Sequence, residues 1–277
     1  MVTAADIQAG LERNEFFLEY QPVVSVADGR CVGCEALLRW RRLGRVVGPQ
    51  EFIPLAEETA LGGLLTYHTI ETVARELGPW LLARPHLFIG INIPPALLGR
   101  GGIEYAAQKT GYDQTLRNQL VLEVTERGIP DGIGMNEMEE AARSGVRFAL
   151  DDVMLDSANL AVLSRCKFHI VKIDRRLVAD IRPDQPRPEW LAGLAALLAA
   201  TDLQVIAEGV ETPAQAQVLR EAGIPMAQGF LYSRPLPARA LQAFQAWHET
   251  PGAQRGRPPR PWSPRPAVSA QPVVAAP

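Results

Sequence analysis

The strongest constraint on the fold is the alternation of short apolar runs with helix-like stretches. A short apolar run bounded by Gly, Pro or polar residues indicates a buried strand, and strands that alternate with helices indicate parallel pairing. The dipeptide Asp28-Gly29 predicts a hairpin, so the first two strands should be antiparallel neighbours. Eight predicted strands in 277 residues favour an α/β fold, a closed (β/α)8 TIM-type barrel. They span residues 16–24, 31–40, 86–92, 119–126, 146–152, 168–174, 204–209 and 226–231.

The helices between these strands are predicted with different precision. The clearest one is bracketed by Thr212 as the N-cap, Pro213 in the first turn and Gly223 just past its end. A weaker helical stretch ends near residue 110. The other predicted helices span residues 3–13, 63–77, 137–144 and 190–200.

Composition divides the chain into a large globular domain and a tail. With 47% hydrophobic residues and a net charge of -3, the chain can bury a full core in residues 1–248 and shows no basic surface typical of DNA binding. Residues 249–277 are rich in Pro and Arg, and they are predicted to form a disordered tail.

The cysteines and histidines argue against a zinc site. Cys31 and Cys34 lie in a predicted strand, where residues three apart point to opposite faces, and the four His show no zinc spacing. Three thiols, with no signal peptide and no long apolar span, predict a cytoplasmic protein that does not enter a membrane.

Polar residues recur where the predicted strands end, and this pattern indicates an active site. In a (β/α)8 barrel the C-terminal ends of the strands meet at one face, which carries the catalytic groups. Asp151 and Asp152 are adjacent, so one of them can bridge two cations. The residues near these ends are Asn92, Glu123, Asp151, Asp152, Lys172 and Glu208.

Apart from Lys172, these side chains all offer oxygen atoms, and hard oxygen ligands favour Mg²⁺ or Mn²⁺. A carboxylate-rich site with two metal ions activates water and stabilises a leaving oxygen in phosphoryl transfer. The residues therefore favour a Mg²⁺-dependent phosphodiesterase or phosphatase. A Mg²⁺-dependent lyase of the enolase type stays open, although no second Lys or His base stands out at a strand end.

A set of motifs resembles those of the EAL-domain cyclic-di-GMP phosphodiesterases. The tripeptide Glu35-Ala36-Leu37 is not specific alone, but the motifs occur in family order across residues 10–245 and their combination is specific. The others are Tyr20-Gln21-Pro22, Leu38-Arg39-Trp40, Phe52-Ile53-Pro54-Leu55-Ala56-Glu57, Gly90-Ile91-Asn92-Ile93-Pro94, Glu123-Val124-Thr125-Glu126, Asp151-Asp152, Val171-Lys172-Ile173-Asp174, Ala207-Glu208-Gly209-Val210-Glu211 and Gln228-Gly229-Phe230-Leu231.

This resemblance implies hydrolysis of one phosphodiester bond of cyclic-di-GMP to linear pGpG, on a barrel whose first strand is antiparallel to the rest. It also implies two Mg²⁺ or Mn²⁺ ions. Lys172, Glu208 and Glu35 would be catalytic, with Lys172 orienting the attacking water; Glu208 and a metal-bound hydroxide both stay open as the base. The metal ligands would be Glu35, Asn92, Glu123, Asp151, Asp152 and Glu208.

The resemblance further implies roles around the substrate. Arg39 would bind a phosphate through its bidentate fork, and Gln21 and Gln228 would complete the substrate-binding set. Glu126 and Glu211 would support the ligands and the neighbouring loop.

The segment after Asp152 departs from the family pattern. Members usually carry Phe-Gly-Thr-Gly-Tyr-Ser-Ser-Leu, whereas residues 153–160 read Val-Met-Leu-Asp-Ser-Ala-Asn-Leu. Both glycines are lost, so special backbone angles become costly. Two hypotheses follow: a phosphodiesterase of weak activity, or a non-catalytic cyclic-di-GMP receptor or protein-interaction module. A homodimer and a regulatory protein partner also stay open.

Overall fold

The computed structural model describes residues 2–98, 114–125, 132–156, 162, 163, 165–182, 184, 185 and 187–249. Its strands are β1 (Phe16–Ser25), β2 (Cys31–Arg42), β3 (Arg45–Val47), β4 (Phe88–Asn92), β5 (Leu120–Thr125), β6 (Arg147–Val153), β7 (Ile170–Ile173), β8 (Gln204–Ala207) and β9 (Met226–Ala227). Its α-helices are α1 (Ala4–Glu12), α2 (Ile53–Glu57), α3 (Leu61–Leu82), α4 (Gln114–Gln119), α5 (Gly132–Arg143), α6 (Arg175–Ala179), α7 (Glu189–Ala200), α8 (Pro213–Glu221) and α9 (Ala238–Glu249).

Eight of these strands form a closed barrel. The sheet runs in the order β1-β9-β8-β7-β6-β5-β4-β2, and the pairing of β1 with β2 closes it. β1 is antiparallel to both of its neighbours, whereas the pairs from β2–β4 round to β8–β9 are parallel. The prediction of a (β/α)8 barrel with an antiparallel first strand is therefore confirmed.

The first strands rise above the C-terminal face of the barrel. β2 pairs with β4 only as far as Ala36 but continues to Arg42, flanked by β1 on one side and β3 on the other. We call this three-stranded antiparallel extension the ribbon. It is backed by a second core, in which the rings of Phe16, Trp40 and Phe52 lie 5.1–5.7 Å apart. Phe16 and Trp40 are stacked and Phe52 packs edge-on against both, which are favourable aromatic arrangements that stabilise the ribbon.

The predicted elements are present with shifted ends. Thr212 caps α8 as predicted: its hydroxyl accepts from the Gln215 amide, and the Gln215 side chain accepts from the Thr212 amide. The helix predicted at 137–144 begins earlier, at Gly132. The short β3 and the helices α4, α6 and α9 were not predicted. The predicted helical stretch near residue 110 and residues 250–277 of the predicted tail lie outside the described residues.

No helix in the described part of the chain combines the length and the apolar character needed to cross a membrane.

Candidate active site

The polar residues that follow the strands meet at the C-terminal face of the barrel. Glu35 comes from β2, Asn92 from β4, Glu123 from β5, and the aspartate pair from β6. Lys172 comes from β7, while Glu208 and Gln228 directly follow β8 and β9. Asn92 lies directly opposite Glu123, whereas Asp151 lies opposite Thr125 and Lys172 opposite Ile206, so the strands are staggered as in other barrels while their ends meet at one face. The sequence prediction of a convergent cluster thus describes the site that the fold builds.

Lys172 is at the centre of this cluster. Its Nζ is 2.7 Å from Glu123 Oε2, 3.0 Å from Glu208 Oε1, 3.1 Å from Asp151 Oδ2 and 3.2 Å from Glu35 Oε2. The Lys172 side chain is only 1% exposed, so water screens these contacts little. When all four carboxylates are ionised, one ammonium leaves an excess of negative charge in a buried site, and such a site attracts further cations.

The pKa values of the carboxylates reflect burial first, the opposing attraction of Lys172 second, and the repulsion between carboxylates after that. Burial raises the pKa of Glu208 to about 8, and it raises that of Glu123 well above its usual range despite the opposing effect of Lys172. Burial also raises the pKa of Asp151. For Glu35 the effect of burial is outweighed by Lys172, Gln228 and Asn92, so its pKa is lowered. Burial would lower the pKa of Lys172, but the carboxylates, Asp151 foremost, raise it well above its usual range.

The pair Asp151-Asp152 reaches the site through a bulge at the end of β6. Leu150 lies opposite Val171 and Val153 opposite Ile173, so the two aspartates together face Lys172 alone. Asp152 has a φ of 57°, a left-handed conformation that Asp tolerates better than most residues. In a regular strand neighbouring side chains point to opposite faces; the extra residue lets both carboxylates approach one place.

The carboxylate oxygens form two groups that could each hold a cation. Oxygens of Glu35, Glu123 and Asp151 lie within 4.8 Å of one another, and so do those of Asp151, Asp152 and Glu208. Asp151 belongs to both groups, as expected for a residue that bridges two ions. All these donors are oxygens, which fit Mg²⁺ or Mn²⁺.

Two amide side chains orient the carboxylates. Asn92 Nδ2 donates to Glu35 Oε1 at 2.8 Å. Gln228 Nε2 donates to Glu35 Oε2 at 2.9 Å and to Glu208 Oε1 at 2.7 Å. The chain can place Gln228 there because Gly229 follows it: a side chain at Gly229, whose φ is 157°, would overlap the backbone of Val210. These bonds fix the directions in which Glu35 and Glu208 present their oxygens.

The predicted substrate-binding residues of β1 and β2 lie beside the cluster. Arg39 is on the ribbon, where its Nε donates to Glu19 Oε2 at 2.8 Å and its Nη1 donates to the Leu38 carbonyl at 3.1 Å. Gln21 lies opposite Glu35 in the β1–β2 pairing, and its Nε2 donates to the Ser233 carbonyl at 2.6 Å. The Gln21 bond ties the segment after β9 to the wall of the site.

The two residues predicted to support the ligands are placed differently. Glu211 is exposed, and its backbone amide donates to Gln215 Oε1 at 2.9 Å. Among the described residues, no contact joins the Glu211 side chain to the cluster, and its supporting role stays a prediction. Glu126 lies outside the described residues.

The altered segment after Asp152 is described as far as Asp156. Leu155 has a φ of 58°, whereas Met154 and Asp156, which replace the two family glycines, are not among the described residues with positive φ. A left-handed conformation costs a residue with a branched side chain about 1–2 kcal/mol. The positive φ thus lies at Leu155 and not at the two former glycine positions, and the expectation that the loss of these glycines weakens the site stays a prediction. Residues 157–160 lie outside the described part.

Sequence reasoning did not single out Gly90 of β4. A side chain at this position would overlap the carboxylate of Glu123, which is fully buried against Lys172. The signal that could have found it is a glycine inside an otherwise apolar strand, which often marks a close approach of another group.

Comparison with known proteins supports one family. The family model for the EAL domain matches residues 4–235. The chain is 30% identical to the probable cyclic di-GMP phosphodiesterase PdeD of Escherichia coli K12, over 92% of the chain and 48% of PdeD. It is 33% identical to the cyclic di-GMP phosphodiesterase NbdA of Pseudomonas aeruginosa, over 86% of the chain and 31% of NbdA. The chain therefore spans less than half of the length of these relatives.

A solved structure extends the comparison to three dimensions. The PaMucR phosphodiesterase in its complex with c-di-GMP superposes with a TM-score of 0.76 at 30% sequence identity. The match covers 86% of this chain and 98% of that structure.

Proposed function

The chain belongs to the EAL domain family, and we propose that it is a metal-dependent phosphodiesterase that hydrolyses cyclic-di-GMP to linear pGpG. The named activities of PdeD and NbdA and the c-di-GMP complex of PaMucR support this substrate. The observation that carries the proposal is the meeting of four carboxylates around the buried Lys172 at the C-terminal face of the barrel. Their excess negative charge fits the binding of cations next to a phosphodiester.

The proposed ligand set divides between the two carboxylate groups. Glu35, Asn92, Glu123 and Asp151 would hold one Mg²⁺ or Mn²⁺ ion, and Asp151, Asp152 and Glu208 the second. When bound, the ions would polarise the phosphate oxygens and lower the pKa of the attacking water. Asn92 would have to turn its amide oxygen towards the ion, because its Nδ2 now donates to Glu35.

The remaining steps fall to residues of this chain. Water adds to one phosphorus atom, the bond from that phosphorus to a ribose 3′ oxygen breaks, and the product keeps a 5′ phosphate. Lys172 would orient the water through a hydrogen bond from its ammonium, and Glu208, 3.0 Å from Lys172 Nζ, would accept a proton from that water. A proton delivered to the departing 3′ oxygen completes the step. Arg39 and Gln21 would hold the substrate from the ribbon side, and Gln228 would do so from the β9 side.

The test is chromatographic measurement of cyclic-di-GMP conversion with Mg²⁺, with Mn²⁺ and with EDTA, on wild type and Glu35→Gln. Glu35 lies in one proposed ligand group and bonds to both orienting amides, so we expect turnover to fall by at least about a hundredfold in the variant. Glu71→Gln, an exposed change on α3, is the matched control.

Turnover in EDTA equal to that with Mg²⁺, or an active Glu35→Gln, would contradict the proposal. The second candidate is a cyclic-di-GMP receptor without turnover, which the strained Leu155 beside the β6 aspartates favours. Calorimetric binding of cyclic-di-GMP with no conversion over hours would support the receptor.

A further inference from the structure

Glu19 lies next to Arg39 on the inner face of the ribbon. In the β1–β2 pairing Gln21 is opposite Glu35 and Glu19 is opposite Leu37, so Glu19 shares a face with Glu35 and with Arg39, two residues beyond Leu37. The Glu19 and Arg39 side chains are 29% and 15% exposed, and Oε2 of the first is 2.8 Å from Nε of the second. This is a partly desolvated ion pair above the carboxylate cluster.

The contacts of Arg39 leave part of its guanidinium available. Nε is taken by Glu19 and Nη1 by the Leu38 carbonyl, while no partner for Nη2 is found within the described residues. An arginine grips two oxygens of a phosphate best through two parallel N–H groups. With Nε held by Glu19, the edge formed by Nε and Nη2 is blocked, and a phosphate can bind only through the Nη1–Nη2 end.

We propose that Glu19 restrains substrate binding, because it competes with the phosphodiester for the guanidinium of Arg39. The inference rests on the proposed function, in which Arg39 binds a phosphate of the substrate. Glu19 and the phosphodiester are both anions that bind the same guanidinium, so the phosphodiester has to displace or share a contact that Glu19 already holds. Glu19 is a positioning residue that acts through Arg39 and sets the affinity of the site for an anionic dinucleotide.

Glu19→Gln removes the negative charge of Glu19 while it keeps the shape of the side chain that contacts Arg39. The amide oxygen of Gln can still accept from Arg39 Nε, so the guanidinium keeps its direction, while the competing negative charge is removed. We expect KM for cyclic-di-GMP to fall about threefold to tenfold, with a smaller change in kcat, since the charge affects binding more than the reacting atoms. The dissociation constant of cyclic-di-GMP in EDTA should fall by a similar factor.

Two comparisons make the experiment specific. Glu51→Gln removes an equal charge from the exposed pair of Glu51 with Arg45 of β3, whose atoms are 3.1 Å apart, and should leave KM unchanged. In the Arg39→Ala background the effect of Glu19→Gln should vanish, because the two residues act on one guanidinium. All variants are made in the full chain and assayed by chromatography and by titration calorimetry.

The outcomes separate the two levels of inference. If wild type neither binds nor converts cyclic-di-GMP, the proposed function fails and the restraint by Glu19 fails with it. If wild type is active but Glu19→Gln leaves KM unchanged or raises it, only the inference on Glu19 is overturned. The same holds if Glu51→Gln lowers KM as much, or if Glu19→Gln still lowers KM without Arg39.

Discussion

The carboxylate cluster takes Glu35 from β2 and the pair Asp151-Asp152 from β6, and the backbones of these two strands are supported differently. β2 carries Glu35 in a strand of 12 residues whose pairing with β1 is regular from Gly33 to Trp40, and the aromatic core of the ribbon backs it. β6 carries Asp151 and Asp152 on a bulge, with left-handed φ angles at Asp152 and at Leu155. The backbone that carries Glu35 is therefore relaxed, whereas the backbone that carries the two aspartates is strained and must be held in place by the surrounding structure.

This difference shows that a strand can keep its carboxylate ligands even where the backbone that supports them is strained. β6 keeps Asp151, which belongs to both cation groups, and Asp152, which belongs to one, although the backbone beside them carries about 1–2 kcal/mol of strain at Leu155. Strain of this kind persists at functional sites when the surroundings over-determine it. Changes on the β6 side should therefore act on cation affinity, while changes on the β2 side should act on substrate or on the whole cluster.

The largest effect should come from substitution of Lys172, whose ammonium contacts both Glu35 of β2 and Asp151 of β6. In Lys172→Met four buried carboxylates lose their shared cation, and we expect the free energy of unfolding to fall by about 3–5 kcal/mol at pH 8 without metal. Urea unfolding measures this, and the exposed Lys167→Met is the control. Mg²⁺ should restore part of the loss, since an ion can replace the ammonium charge.

The pH dependence of this loss has a defined sign. The pKa of Glu208 in the folded protein is about 8, above its ordinary 4.5, so protonation of Glu208 favours the folded state. That contribution is complete below pH 4.5 and is lost as the pH rises towards 8. Without Lys172 the ionised carboxylates are still less favourable, so Lys172→Met should lose less stability at pH 5.5 than at pH 8. Equal losses at the two pH values would contradict this account of the cluster.

A smaller effect is expected from repair of the β6 side. Rebuilding residues 153–159 as Phe-Gly-Thr-Gly-Tyr-Ser-Ser supplies glycines at 154 and 156, on either side of the strained Leu155, so the turn can take its positive φ at a residue that adopts it without penalty. We expect about a tenfold lower Mg²⁺ requirement and higher turnover, because the two aspartates would be better preorganised. A metal titration of turnover measures both. If wild type already turns over rapidly at low millimolar Mg²⁺, the present loop supports the two aspartates adequately without the glycines.

Sequence reasoning succeeded where the signal is local. Apolar runs predicted the strands, Thr212 predicted the start of α8, and residue types near strand ends predicted the cluster. The bulge at Asp152 was not predicted because it is defined by pairing with β7, more than 15 residues later in the chain. The number of carboxylates around Lys172 and the pairing of Glu19 with Arg39 depend on closure of the barrel in the same way. The last helix, α9, did carry a signal, since Leu241 and Phe244 are three apart and buried.

The smallest effect compares two leucines with nearly the same strain. Leu43 on the ribbon has a φ of 49° and Leu155 beside β6 a φ of 58°, but Leu43 is 90% exposed whereas Leu155 packs against the main core. Asn adopts this conformation more readily, so Leu43→Asn should stabilise the protein by about 1 kcal/mol. Leu155→Asn gains the same relief but loses apolar burial worth about 1–2 kcal/mol, so its net effect should be near zero or destabilising.

Thermal unfolding in EDTA and in Mg²⁺ measures the pair of variants. A gain of about 1 kcal/mol in a domain of this size raises Tm by about 2–4 °C, which we expect for Leu43→Asn in both conditions. For Leu155→Asn we expect no such gain in EDTA, together with a changed stabilisation by Mg²⁺, because this residue lies beside the aspartates. Equal gains for the two variants would show that Leu155 contributes no packing. If Mg²⁺ stabilises Leu155→Asn as much as wild type, the strained backbone at Leu155 does not limit cation binding by Asp151 and Asp152.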